Sequence, residues 1–325
     1  MARELHQLVL ARVKSSVVRF GAETIVCSPQ QQRRYAASDA IICPRRLDHS
    51  PSSSCPPSSS CSNQKKSRSA PATSTMKLDL LPHGVCVLTL EETKSAKGDF
   101  ENRFTLSLVR EVNRLLDEVL ARSDSRSVVI TGTGKFFSNG HDIAWLERSM
   151  DSGEAHQFID EFYRLLARFM TLGLPTVAAV NGHAFAGGCL LAMAQDYRVM
   201  TAGKGFLCMN EIDMVPVVAP PTESKIKPGA FAGADDKMTA VLQSKIGSPS
   251  LLRDMYLKGT RFDGNSALSH GLVDVASNNV LQDAVELATK LGEKAHFRNR
   301  QTVSVLKLAS YTQYVQVLVT SSSKL

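Results

Sequence analysis

From Leu106 to Leu120 leucine and valine recur at helical spacing, which predicts an amphipathic helix; the same reasoning predicts another from about Glu154 to Met170. Val85-Cys-Val-Leu-Thr-Leu90 and Ser127-Val-Val-Ile-Thr131 read as strands, and Pro175-Thr-Val-Ala-Ala-Val180 as a short buried strand. Between the second strand and Ile143-Ala-Trp-Leu146 lies the loop Gly132-Thr-Gly-Lys-Phe-Phe-Ser-Asn-Gly140. After Val180 a glycine-rich turn leads into the apolar segment Cys189–Ala194, and Gly187 or Gly188 is the expected start of its helix. Helical patterns resume at Met238–Ile246, Ser250–Tyr256, Gly264–Ser269 and Val280–Gly292, with a final amphipathic stretch from about Thr302 to Tyr314. Strands alternating with helices predict an α/β fold, with parallel pairing, right-handed crossovers and ligand loops at the carboxyl ends of strands.

Charge divides the chain unevenly. The formal net charge is +7, yet residues 1–75 alone carry 11 Lys/Arg against four acids, so the remainder is neutral. A neutral body offers no surplus cations to displace counterions, and nucleic acid is not an expected partner. The stretch Ser50-Pro-Ser-Ser-Ser-Cys-Pro-Pro-Ser-Ser-Ser-Cys61 has too few large apolar groups to offset the entropy of ordering, so disorder is expected there. Two readings of this Arg- and Ser-rich leader stand side by side: an organelle transit peptide, or a gene-model extension ahead of Met76. Of the seven cysteines, four lie in the leader, and Cys86, Cys189 and Cys208 sit singly, which suggests neither a disulfide framework nor a zinc site.

The chain ends in Ser323-Lys324-Leu325, a receptor-read peroxisomal address. A peroxisomal import receptor is therefore an expected partner. No apolar run approaches the roughly 18 residues of a transmembrane helix, and no membrane span is expected.

Two segments carry candidate chemistry. Asn181-Gly-His-Ala-Phe-Ala-Gly-Gly-Cys-Leu190 combines small residues with a helix start, where backbone N–H groups and a partial positive charge meet a ligand. Phe136-Phe-Ser-Asn-Gly-His-Asp142 is a second donor loop leaving a strand. Together they outline two backbone donors aimed at one carbonyl oxygen, an oxyanion hole. Downstream, Glu211 is a carboxylate near Phe206, Leu207, Met209 and Ile212, and burial there would raise its pKa toward a value useful to a base. Asp142 and Asp196 have no His or Cys partners at ligand spacing, so structural hydrogen bonds are expected of them, and no metal site is assigned.

At these residues, and over essentially Met76 to the C-terminus, the sequence resembles the enoyl-CoA hydratase/isomerase family, the crotonase superfamily. It looks closest to the plant peroxisomal branch of Δ3,Δ2-enoyl-CoA isomerases. The resemblance implies a crotonase-like spiral of ββα units, with a core over residues 76–255 and a C-terminal helical region over 256–325. It implies that backbone N–H groups of His141 and Gly187 hold a thioester oxygen, and that Glu211 is the catalytic base. Substrate contacts would come from Ser138, Asn139, Gly140, Asp142, Ile143 and Gly188. The imidazole of His141 is expected to serve local packing rather than proton transfer. Hydrating relatives resemble one another in using two glutamates, and here Leu190 stands at the first position with Glu211 at the second. One carboxylate suffices for a proton shuttle, so the implied reaction is isomerisation of a fatty 3-enoyl-CoA to the 2-enoyl-CoA. The implied substrate is a fatty acyl-CoA, with no cofactor beyond its coenzyme A. By resemblance the assembly would be a homotrimer or hexamer. Arg298, Arg300 and Lys307 are candidate phosphate contacts; Lys94, Lys97 and Lys135 are assigned no role.

One departure stands out. Between Asp213 and Lys245-Ile-Gly-Ser-Pro249 the chain inserts a Pro-, Gly- and Ala-rich segment over about 215–236. It is either a lid on an acyl pocket or a gene-model segment that impairs the site, which leaves two further readings: a non-catalytic acyl-CoA binder, or another crotonase activity such as hydration.

Overall fold

The computed structural model describes residues 76–91, 100–214 and 234–320. The leader, Lys94, Lys97, insertion residues 215–233 and the terminal tripeptide lie outside them. Met76–Leu80 (β1) pairs antiparallel with Val85–Leu90 (β2), and from there the pairing is parallel. Ser127–Gly132 (β3), Thr176–Val180 (β5), Tyr197–Thr201 (β7) and Val275–Ser277 (β9) complete a six-stranded sheet in the order β1-β2-β3-β5-β7-β9. Three shorter strands form a second parallel sheet: Phe136–Ser138 (β4), His183–Phe185 (β6) and Leu207–Cys208 (β8).

Each turn of the chain contributes one strand to each sheet and then a helix. β3 and β4 lead to Ile143–Ser149 (α2) and Glu154–Thr171 (α3); β5 and β6 lead to Gly187–Ala194 (α4); β7 and β8 lead to Glu211–Met214 (α5). This is the expected spiral of ββα units. Leu106–Ala121 (α1) follows the first hairpin.

Alternation along the large sheet explains its two covered faces. Cys86, Leu88, Leu90, Val128, Ile130, Ala178, Val180 and Met200 face a core built with α1 and α3. Their neighbours Val85, Val87, Val129, Val177, Ala179 and Val199 face Val280, Ala284 and Ala288 on the helix Val280–Gly292. Ala234–Gln243 (α6), Pro249–Lys258 (α7), Gly264–Ser269 (α8) and Val280–Gly292 (α9) precede a last helix, Arg300–Val319 (α10), which packs on α3 and α6. α10 runs well beyond the expected Thr302–Tyr314 because a row of inward residues, Lys307, Tyr311, Tyr314, Val315 and Leu318, carries the contact on. No helix among the described residues is long and apolar enough to cross a membrane.

Candidate active site

The small sheet brings the candidate segments together. β6 pairs with β4 through Phe136↔His183 and Ser138↔Ala184, and with β8 through Ala184↔Leu207 and Phe185↔Cys208. Because all three strands run parallel, their carboxyl ends release three segments side by side: Asn139 to Asp142, Ala186 to Gly188, and Met209 to Glu211.

The first segment is held by a neighbour that sequence reasoning missed. Asn102, fully buried with φ 51°, points its Nδ2 at the carbonyls of Thr133, Phe136 and Phe137 at 3.2, 2.9 and 3.2 Å. Its own carbonyl accepts the Ser138 hydroxyl at 2.7 Å, and Ser138 Oγ accepts the Gly140 N–H at 3.2 Å. Asn139 donates its N–H to Glu101 O at 2.8 Å. Phe104 donates to Gly140 O at 2.8 Å and accepts from Asp142 N–H at 3.0 Å, which makes a parallel bridge opposite His141. In such a bridge the middle residue's own N–H and C=O point away from the partner strand. The His141 N–H is thus turned outward, and its carbonyl accepts from Arg103 Nη1 at 3.4 Å. Asp142 Oδ1 caps α2 by accepting the Trp145 N–H at 2.9 Å, the structural role expected of it, and Ile143 opens that helix.

The second segment turns sharply. Ala186 has φ 47° and ψ −116°, a conformation that costs an alanine on the order of 1–3 kcal/mol and is held by its N–H bond to Cys208 O at 3.0 Å. Immediately after it Gly187 opens α4, where the first N–H groups have no acceptor within the helix. Two glycines let the segments close on each other. A Cβ on Gly140, which has φ 77°, would lie 3.3 Å from Gly187 N, and a Cβ on Gly188 would lie 2.3 Å from Ser138 O. Gly188 therefore serves close packing of α4 on β4. Neither His141 nor Gly187 donates its N–H to a backbone acceptor among the described residues.

The His141 ring fills the space between these segments and α3. It meets Phe158 and Phe162 edge-on, with centroids 5.0 and 4.7 Å away. Its Nε2 is sequestered from solvent, and desolvation holds the imidazole neutral, with a pKa lowered to about 4. Such a group packs, and does not exchange protons near neutrality.

Glu211 begins α5, half-buried, with Oε2 shielded from solvent. Leu207 and Met209 beside it are fully buried and Phe206 partly so, whereas Ile212 is 49% exposed and does not contribute to the apolar setting expected of it. Its carboxylate reaches the helix start electrostatically: the Cys189 thiol is raised by burial, then by Cys208 and Glu211, and that of Cys208 is raised to about 11, mainly by burial, with Glu211 adding to it. At the next position of α4 stands Leu190, 2% exposed within the core, so this turn offers no second carboxylate.

Other candidates lie elsewhere. Asp196 Oδ2 accepts the Thr176 N–H and hydroxyl at 2.8 and 3.2 Å, a structural role as expected. Arg300 and Lys307, candidates for phosphate contacts, are committed within the chain. Arg300 donates to the carbonyls of Leu120, Arg122 and Ser125, and Lys307 to Leu174 O and Asp196. Arg298 is exposed in the turn before α10, and exposed Lys135 lies over the Phe136 ring with Nζ 5.8 Å from its centroid. No cluster of metal ligands occurs among the described residues.

The protein is thus a spiral of ββα units whose small sheet releases the segments of His141, Gly187 and Glu211 at one edge. The chain belongs to the enoyl-CoA hydratase/isomerase family, whose family model matches residues 81–322. It is 31% identical over 234 residues to enoyl-CoA delta isomerase 3 of Arabidopsis thaliana, covering 70% of this chain and 91% of that protein. It is 37% identical over 202 residues to the peroxisomal enoyl-CoA delta isomerase 1 of the same plant, covering 61% and 75%. Among solved structures, a probable enoyl-CoA hydratase of Mycobacterium tuberculosis H37Rv superposes with a TM-score of 0.61 at 21% identity, covering 75% of this chain and 92% of that one.

Proposed function

We propose that this protein is a Δ3,Δ2-enoyl-CoA isomerase acting on unsaturated fatty acyl-CoA. What supports the reading is that the parallel strands of the small sheet release the segments of His141, Gly187 and Glu211 at one edge, with leucine at position 190. The names of the Arabidopsis relatives support it. In this mechanism the thioester oxygen accepts both N–H groups. Glu211 removes a proton from the α carbon of the 3-enoyl thioester, and the negative charge moves onto that oxygen. Each donor contributes about 2.7–4 kcal/mol to the enolate. The protonated carboxyl then returns the proton at the γ carbon, leaving the double bond conjugated with the thioester. The atoms balance without water, redox agent or metal, so coenzyme A, as part of the substrate, is the only cofactor moiety required. Ser138, Asn139, Gly140, Asp142, Ile143 and Gly188 shape the donor loop and the helix start.

A peroxisomal location, reached through an import receptor reading Ser323-Lys324-Leu325, agrees with two relatives being named peroxisomal. Self-association, as a homotrimer or hexamer by the family resemblance, is supported by the outer face of α10, where Val305, Leu306, Leu308, Val317 and Val319 are exposed.

The test is conversion of 3-enoyl-CoA to 2-enoyl-CoA followed by thioester absorbance, comparing the full chain with Glu211→Gln. The expected result is a loss of at least about 10³-fold in kcat, acyl-CoA affinity retained, and no hydration of 2-enoyl-CoA. Hydration by the unmodified chain, or undiminished isomerisation by the variant, would overturn the assignment.

A further inference from the structure

The two donors lie on different turns of the spiral, and the strand pairing that aligns them ends before either is reached. At the end of β4 Ser138 abuts Gly188, and beyond it one side chain spans from the first donor residue to the second. The ring atoms Cδ2 and Nε2 of His141 lie 2.8 Å from where a Cβ on Gly187 would project. On its other side the same ring is edge-on to Phe158 and Phe162, which α3 holds fully buried and stacked with centroids 5.9 Å apart. The residue whose N–H is one donor therefore carries the spacer that sits on the residue supplying the other.

We propose that the imidazole of His141 is a positioning residue: packed against the Cα of Gly187 and against the Phe158 and Phe162 rings, with Phe162 Cζ itself 3.4 Å from where a Cβ on Gly187 would project, it sets the separation of the two thioester-oxygen donors. The inference rests on the donor assignment of the isomerase reading. The ring transfers no proton and touches no reacting atom. It acts through hydrogen-bond geometry, which weakens steeply with distance and angle, so a misplacement of about 1 Å costs as much as 10²-fold in rate.

The experiment uses the full chain with a 2,4-dienoyl-CoA, whose absorbance moves to longer wavelength when its thioester carbonyl is polarised. Bound to the unmodified chain, the probe is expected to be red-shifted. In His141→Ala both N–H groups remain, and the expected result is loss of most of the red shift and about 10²-fold in kcat, with probe affinity changed less than about threefold. Retention of the shift, with kcat within about threefold, would overturn the proposal. Gly187→Ala pushes the ring instead of removing it and is expected to cause a similar loss. In the double variant the new methyl group enters space the ring has left, so the combined loss is no larger than either single loss. Multiplying losses would mean that the two residues act independently and would also overturn it. If thermal melts show that His141→Ala does not fold, Gly187→Ala decides alone: a retained shift sinks the proposal. A red-shifted probe on an unmodified chain that isomerises nothing refutes the isomerase reading while the His141 comparison still stands. An unshifted probe on that chain removes the donor assignment and this inference with it.

Discussion

Nζ of Lys307 lies 2.8 Å from Oδ2 of Asp196, the same oxygen that accepts the N–H and hydroxyl of Thr176. One carboxylate thereby joins the C-terminal helix to the first residue of β5 and the residue before β7. Both ends of the ion pair are largely buried, with side chains 11% and 14% exposed. Burial lowers the pKa of Lys307, and Asp196 opposes that shift.

Removing one member of such a pair leaves the other charge buried without compensation. Asp196→Ala is expected to lose about 3–5 kcal/mol in urea unfolding, while acyl-CoA affinity stays within about twofold. A loss under about 1 kcal/mol would mean that α10 docks independently of this contact.

Gly188 is expected to tolerate no side chain. A Cβ there would meet Ser138 O at 2.3 Å and Ser138 C at 2.9 Å, both backbone atoms on a paired strand. Gly188→Ala should cost about 1–3 kcal/mol or more by overpacking. Gly247 provides the contrast, because a Cβ there meets nothing within 4 Å. Gly247→Ala should be neutral or stabilising by up to about 1 kcal/mol. Thermal melts of the two variants check the pair, and equal melting temperatures would refute the packing argument.

The neutral His141 imidazole also shapes stability in acid. Its pKa is about 4 in the folded chain against an ordinary 6.5. Between these values the unfolded chain binds a proton that the folded chain does not, so stability is present above pH 6.5 and is lost as pH falls toward 4. The shift corresponds to about 3 kcal/mol. Carboxylates titrate in the same range, so the measurement is a difference: urea stability at pH 7 and pH 4.5, compared between the full chain and His141→Leu. The variant should lose about 2 kcal/mol less over that interval; equal losses would contradict a desolvated ring.

Much of the architecture is legible along the chain because it is periodic. The leucines and valines of Leu106–Ala121 and the apolar residues of Glu154–Thr171 each make one helical stripe, and Val280–Gly292 and Gly264–Ser269 begin and end where the pattern does. Gly187 opens its helix as expected. Leu190 in place of a carboxylate is likewise a fact of sequence. These features depend on residues within a few positions of one another, where spacing alone decides which face is apolar.

The small sheet was beyond reach of such reasoning. Its strands span two or three residues each, too short to carry a period, and they pair only because the large sheet stacks successive turns of the spiral. The same holds for Asn102, whose Nδ2 acceptors lie 31 to 35 positions away, and for Arg300, which reaches carbonyls 175 to 180 positions away instead of a ligand. A polar side chain in a sequence shows what it can donate, and only the folded chain decides which acceptor stands within 3 Å of it. The sequence by itself determined most of the helices, the strand runs of β2, β3 and β5, and the small-residue character of the loops at His141 and Gly187. Tertiary structure decided that His141, Gly187 and Glu211 share one edge, because that edge is made of long-range backbone pairing that no local pattern encodes.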